Sequence, residues 1–309
     1  MLTELQFKLA QIANPYFHNS YKVDPAKCLD FIEANKISLL LKQKGLTTKQ
    51  AEEDEKSLNL LLDELVEIKR IFDSQNIKFV LIKFPKLLRP HGDLDMLIIK
   101  NINSAEDILR KRGYVLENDA DPYRRTYITE INGNRLEVDL HLEAAWVGVI
   151  YLDKEDIWKN SMKREIRGID VYVPSPEYEL LITAAHDMRS NEIPLFDVLY
   201  VHSLLKEENI DINFVRNVAK KNNWLKQFDY FICAVNEIYR ELYELGTFLR
   251  VKELPFHFPS YTIGRLKLQK TLLDLRYCGI RRAIEDLQAY FYFDIYQNLK
   301  GERSERGEK

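Results

Sequence analysis

The sequence predicts an α+β fold, in which a small mixed β-sheet lies between an N-terminal helical segment and a C-terminal all-helical domain. Apolar residues follow helical spacing up to about residue 76, and helical spacing returns from Pro176 to about Leu299. Between them, short apolar runs and an Asn132-Gly133 turn signal indicate strands. We therefore expect a helical segment at 1–60, an α/β core at 61–173, a helical domain at 174–300 and a flexible tail at 301–309.

The helical parts divide at turn signals. Pro174-Ser175-Pro176 supplies a helix start, with the cap at Ser175. Two prolines between 254 and 261 indicate a loop. The helices are predicted at 28–42, 50–72, 177–188, 194–205, 212–221, 224–245 and 266–298.

The middle of the chain is predicted to hold the strands. The runs 78–82 and 94–99 are almost wholly apolar, as in strands covered on both faces. A helix at 105–113 follows, ending at a glycine. Two hairpins complete the sheet region, one over 124–142 and a smaller one over 163–173 that turns near Arg167-Gly168.

Composition narrows the classes of function. A chain of 309 residues with 46% hydrophobic residues can bury a sizeable core. Its net charge of -3 predicts no bulk binding to nucleic acid. No run reaches the roughly 18 apolar residues of a membrane span, and the start lacks a signal-peptide pattern, so we expect a cytoplasmic protein without a membrane partner. Cys28, Cys233 and Cys278 lie too far apart for a zinc cluster and are expected to be buried thiols.

Asp93 and Asp95 open the second predicted strand. Because side chains alternate along a strand, both point the same way, roughly 6.5 to 7 Å apart at the backbone. Two such carboxylates at a buried strand repel each other and lose hydration, unless a cation lies between them. This pair therefore predicts a divalent-metal site.

A third carboxylate is predicted on the hairpin strand. Glu137, Asp139 and His141 share one face there, and Asp139 is the predicted third ligand, with Glu137 as the alternative. His141 is either a support for that carboxylate or an ordinary hydrogen-bonded histidine. Three carboxylates suit Mg²⁺ or Mn²⁺ better than zinc, and two such ions serve phosphoryl-type transfer.

These motifs resemble the DNA polymerase β-like nucleotidyltransferase superfamily, and more narrowly the group called nucleotidyltransferase family 5, over about residues 60 to 205. The stretches that carry the resemblance are Ile82 to Ile98 with Asp93-Leu94-Asp95, Val138-Asp139-Leu140-His141, Val173-Pro174-Ser175-Pro176-Glu177 and Ala185-His186-Asp187. The resemblance implies transfer of a nucleotide from an NTP, such as ATP, to a hydroxyl acceptor, with release of pyrophosphate. It further implies that Asp93 and Asp95 bind both metals and Asp139 the catalytic one. The acceptor, a small molecule, a protein or an RNA end, stays open.

One stretch departs from the superfamily pattern. Phe84-Pro85 stand where Gly-Ser or Gly-Gly usually cradle the triphosphate, and proline has no N–H to donate. Lys83, Lys86 and Arg89 are the predicted phosphate-binding residues that compensate. The alternative is a catalytically weakened nucleotide- or metal-binding regulatory protein on the same fold.

Other polar residues have plainer interpretations. His91 is expected to form a turn before the aspartates. Arg124 and Arg125 are expected at a solvated sheet edge, although they could reach phosphate. His186-Asp187 resembles the metal-binding pair of HD phosphohydrolases, but without further ligands it is expected to brace helix packing.

Overall fold

A computed structural model describes residues 2–17, 21–118, 121–146, 149–190 and 193–243. The predicted loop at 254–261, the helix at 266–298, Cys278 and the tail lie outside these residues. The helices are α1 (Glu4–Ala13), α2 (Leu29–Ala34), α3 (Ser38–Gln43), α4 (Lys49–Ser74), α5 (Ile102–Lys111), α6 (Lys154–Lys159), α7 (Pro176–Ser190), α8 (Leu195–Glu207), α9 (Ile212–Lys221) and α10 (Leu225–Tyr243). The strands are β1 (Lys78–Leu81), β2 (Asp93–Lys100), β3 (Val115–Asn118), β4 (Arg124–Ile131), β5 (Asn134–His141), β6 (Ala144–Trp146), β7 (Val149–Leu152), β8 (Ser161–Ile166) and β9 (Ile169–Pro174).

The central sheet is mixed, which confirms the predicted α+β class. Its five strands lie in the order β1-β2-β5-β4-β3. Strand β2 pairs with β5 in parallel, whereas the other neighbours are antiparallel. The parallel pair lies in the interior of the sheet. The carboxylates near the point where β2 and β5 begin to pair therefore lie at one end of the sheet.

The two predicted hairpin turns are present. Asn132 and Gly133 join β4 to β5 with φ of 53° and 74°. Arg167 and Gly168 join β8 to β9 with φ of 52° and 76°. Two-residue loops with positive φ at both positions match the twist of antiparallel strands, and they fix the register of each hairpin.

The core has two clusters, one on each face of β2. Leu94, Met96 and Ile98 point into the first, between the sheet and helices α4 and α5. Leu97 and Ile99 point into the second, which contains the helices from both ends of the described chain. Burial on both faces explains the apolar run at 96–99 in β2.

The N-terminal helices pack against the last described helix. The side chain of Gln11 in α1 donates to the carbonyl of Leu242, at 3.2 Å, and the Tyr243 hydroxyl donates to the carbonyl of Ala10, at 2.8 Å. The helical layer on this side of the sheet is therefore built from both ends of the described chain.

Some sequence predictions need correction. The helix predicted at 28–42 is divided into a 3₁₀ turn at Pro25–Cys28, α2 and α3, with Lys36 at φ 54° in the break. The short strands β3, β6 and β7 have too few residues for a clear alternation, and they were not expected. The predicted segment borders remain predictions, and α4 runs across the one at 60/61. None of the helices within the described residues combines the length and apolar character needed to cross a membrane.

Candidate metal centre

The register of β2 and β5 brings four carboxylates together. Asp93 lies opposite Glu137, and Asp95 lies opposite Asp139. Ligand atoms of Asp93, Glu137 and Asp139 lie within 4.8 Å of one another. A second set at the same spacing consists of Asp95, Asp139 and His141. Asp139 belongs to both sets, so it lies between the other carboxylates.

Asp139 is buried and held by strand β4. The Thr126 hydroxyl donates to its Oδ1 at 2.6 Å, and Arg124 lies 3.0 Å from its Oδ2. Arg125, on the opposite face, pairs with Glu106 at 2.8 Å. The expected solvated edge at Arg124 and Arg125 is therefore wrong, because both side chains are partly buried and each forms an ion pair with a carboxylate.

Asp95 is the most strongly compensated carboxylate. Its Oδ1 lies 2.8 Å from the Lys83 ammonium and 2.6 Å from Nε2 of His141. Burial alone would raise the pKa of Asp95, but Lys83 and His141 hold it well below its usual range. His141 thus supports Asp95, in the neighbouring strand, and not Asp139 as one interpretation of the sequence had it.

Asp93 has the opposite balance of charge. Repulsion by Asp95, together with burial, raises the pKa of Asp93 to about 7, although Lys83 opposes the shift. Within the described ranges, Asp93 has no ion pair within 4.0 Å. A cation between Asp93, Glu137 and Asp139 would offset the negative charge around Asp93, and a site with oxygen ligands alone suits Mg²⁺ or Mn²⁺. The donor set therefore fits a hard divalent cation.

The loop between β1 and β2 carries the predicted phosphate-binding residues, and each of them faces a carboxylate. Lys83 pairs with Asp95, as described. Lys86 forms an ion pair with Glu208, and Arg89 lies 3.6 Å from Asp197. Of these three residues, only Lys83 contacts one of the four carboxylates of the candidate metal centre.

The same loop is fixed to the second hairpin and to α7. Arg164 donates to the carbonyl of Phe84 at 2.6 Å and pairs with Glu179 at 2.6 Å. The Phe84 ring stacks on His91 with centroids 4.5 Å apart. Lys83 begins the loop at φ 55°, in a region that glycine adopts without strain and lysine rarely does. The loop therefore has a defined conformation that does not depend on glycine.

A cavity of about 20 Å³, the size of a water molecule, lies between this loop and helices α7 and α8. Its polar lining includes Lys83, Arg89, Thr183, His186, Asp187 and Asp197. Burial, and then the charge of Asp197, raises the pKa of Asp187 to about 9. His186 and Asp187 do not join any set of three metal-ligating side chains in the described part of the chain, and their bracing role stays a prediction.

Sequence reasoning missed several residues that shape this site. Thr126 was detectable, since it follows Arg124 by two positions on the strand next to Asp139. Arg164 and Glu179 had no local signal, because their partners lie 80 and 15 residues away.

The family model described as "uncharacterised nucleotidyltransferase" matches residues 43–240. The chain is also similar to the solved structure of an antigenic nucleotidyltransferase-like protein from Paracoccidioides brasiliensis, with 14% identity and a TM-score of 0.40. That similarity covers 59% of this chain and 90% of the other. No curated protein matches the sequence. The family match spans well over half of the chain and includes all four carboxylates, and the chain therefore belongs to this nucleotidyltransferase family.

Proposed function

We propose that the protein is a nucleotidyltransferase that uses Mg²⁺ or Mn²⁺ to transfer an NMP from an NTP, such as ATP, to a hydroxyl acceptor, with release of pyrophosphate. The parallel register that sets Asp93 and Asp95 beside Glu137 and Asp139 is the observation that carries the proposal. Family membership supports the reaction class. We place the reaction in the cytoplasm.

The carboxylates would hold the metal. Asp93, Asp95 and Asp139 are the proposed ligands, and Glu137 is placed to serve as a further one. A bound divalent cation would supply positive charge for the triphosphate and for the attacking hydroxyl oxygen.

The protein's own groups set up the reaction around this site. Thr126 and Arg124 fix the orientation of Asp139, and Lys83 and His141 keep Asp95 ionised. In the proposed step, the acceptor oxygen forms a bond to the α-phosphorus while the bond from that phosphorus to pyrophosphate breaks. The hydroxyl proton passes to Asp139. Lys83, next to the carboxylates, is the loop cation placed to approach phosphate.

A second candidate is a nucleotide- or metal-binding regulatory protein without transfer activity. It is favoured by the pairing of Lys83, Lys86 and Arg89 with carboxylates, which leaves each of them less able to bind phosphate. Pro85 in the same loop has no N–H to donate. The two candidates differ in one outcome, since the regulatory protein would bind NTP and release no pyrophosphate.

The test is label transfer from each of the four α-labelled NTPs, with Mg²⁺ or Mn²⁺ and with cell fractions enriched in small molecules, protein or RNA. The double variant Asp93→Asn, Asp95→Asn should lose both label transfer and pyrophosphate release. Asp107→Asn, an exposed change on α5, is the matched control and should keep both. Comparing Asp139→Asn with Glu137→Gln separates the two proposed third ligands. Transfer that survives in the double variant would refute the catalytic assignment.

A further inference from the structure

Lys36 has an unusual backbone for its residue type. It lies at φ 54°, directly after α2, where a left-handed residue closes the helix and glycine is the usual choice. Of the seven non-glycine residues with positive φ in the described chain, four are asparagine, which tolerates this region, and the others are Lys36, Lys83 and Arg167. Arg167 lies in a hairpin turn, whereas Lys83 contacts the carboxylates. A lysine held in this conformation points to a use for its side chain.

The neighbouring residue fixes Lys36 to the C-terminal helices. The Asn35 side-chain oxygen accepts from the backbone N–H of Leu195, and its carbonyl accepts from that of Phe196, both at 3.1 Å. These residues begin α8, which also carries Asp197, the partner of Arg89. The break between α2 and α3 is thus tied to the elements that position the loop before Asp93.

The Lys36 ammonium lies in a field of mixed charge. It is attracted by Asp197, Asp187 and Asp93 and repelled by Arg89. Burial and this repulsion lower the pKa of Lys36. Among the described residues, no carboxylate lies within 4.0 Å of it, whereas Lys83, Lys86, Arg89 and Arg124 all have such a partner.

Within the described chain, the partly buried Lys36 ammonium has therefore lost hydration without forming an ion pair in return. An anion placed between Lys36 and the carboxylate-bound cations would supply that contact, and a triphosphate has the required charge. Lys36 also lies outside residues 43–240, so the family match does not assign it any role.

We infer that Lys36 binds the triphosphate of the NTP, and so adds, from the N-terminal helices, positive charge to that of the loop cations, which are paired with carboxylates. This inference rests on the proposed function, because it assumes that an NTP occupies the site. It extends the nucleotide site from the sheet to the break between α2 and α3.

The test is calorimetric titration of the full chain with each NTP and its nucleoside in the presence of Mg²⁺. Lys36→Asn removes the charge and keeps a residue that tolerates the backbone, and Lys36→Arg keeps the charge. Lys27→Gln, an exposed lysine on the preceding 3₁₀ turn, is the matched control. Lys36→Asn should weaken NTP binding by about tenfold, or about 1.4 kcal/mol. Nucleoside binding should be unchanged, and Lys36→Arg and Lys27→Gln should bind NTP within about twofold to threefold of the wild type.

The outcomes separate this inference from the function on which it rests. If the wild type binds no NTP, both are refuted. If the wild type binds NTP and Lys36→Asn binds it equally well, the role of Lys36 is refuted and the proposed function stands. If Lys36→Asn binds nucleoside and NTP with equally weakened affinity, or if Lys36→Asn and Lys36→Arg lose equal affinity for NTP, then Lys36 acts by maintaining the local structure. Either result would refute its role as a positive charge.

Discussion

Replacing Asp93 with asparagine removes the carboxylate that is least compensated in the candidate metal centre. The change keeps the size of the side chain and eliminates its repulsion by Asp95. Without metal, the variant should therefore be more stable than the wild type at pH 8. With metal, the wild type should regain stability relative to the variant, because only the wild type keeps the Asp93 carboxylate as a metal ligand.

The magnitude follows from the pKa of Asp93. A pKa of about 7, against an ordinary value of 3.8, corresponds to about 4 kcal/mol at about 1.36 kcal/mol per unit. The side chain is partly exposed, so solvent screening reduces this ceiling, and we expect about 1–2 kcal/mol. Because the folded-state pKa is raised, the penalty is absent below about pH 4, grows as the pH rises, and is complete above about pH 8.

Urea unfolding at pH 4 and pH 8, with EDTA or with excess Mg²⁺, measures each part of this prediction. A cation at 100 times its dissociation constant would stabilise the wild type by about 2.7 kcal/mol, and the variant by less. Asp107→Asn controls for the loss of one exposed charge. A variant that is less stable than the wild type in EDTA at pH 8 would refute the repulsion argument, and an unchanged difference in Mg²⁺ would refute the ligand role of Asp93.

Two further changes test the surroundings of the site. Arg164→Met should destabilise the protein by about 3–5 kcal/mol and speed amide hydrogen exchange over 83–88, because Arg164 holds the carbonyl of Phe84 and neutralises Glu179. Exchange at the wild-type rate would show that the loop is held by other contacts. The free energy of unfolding of Asp187→Asn should rise relative to that of the wild type by at least about 1 kcal/mol from pH 5 to pH 8, measured by denaturant unfolding. The reason is that the raised pKa of Asp187 makes its ionisation costly in the folded state and not in the unfolded state. A difference that is the same at both pH values would contradict this burial argument.

The sheet and its carboxylates were accessible from the sequence because their signals are local. The Asn132-Gly133 turn fixes which residues of the hairpin face each other, and alternation along β2 places Asp93 and Asp95 on one side. Once β5 is placed beside β2, Asp139 follows from register. The order of strands in the sheet had no such signal, and the position of β3 beside β4 was therefore not expected.

The surroundings of the site depend on contacts between residues distant in sequence. Arg164 reaches Phe84 across 80 residues, and Asp197 meets Arg89 because α8 packs against the loop. Side-chain patterns within one element carry no information about such partners. The phosphate-binding role of Lys83, Lys86 and Arg89 therefore remains a prediction. In the structure each of them is paired with a carboxylate, and each would have to leave that partner to bind phosphate.

The packing of α1 on α10 has a consequence for how the chain folds during synthesis. The contacts of Gln11 with Leu242 and of Tyr243 with Ala10 join residues 231 and 233 positions apart. These contacts of α1 with α10 can therefore form only after α10 has left the ribosome. Contacts of such long range close late and slow folding. The sheet with its carboxylates has mostly local pairings, so it can form before the helical layer that carries Lys36 and Asp197 is complete.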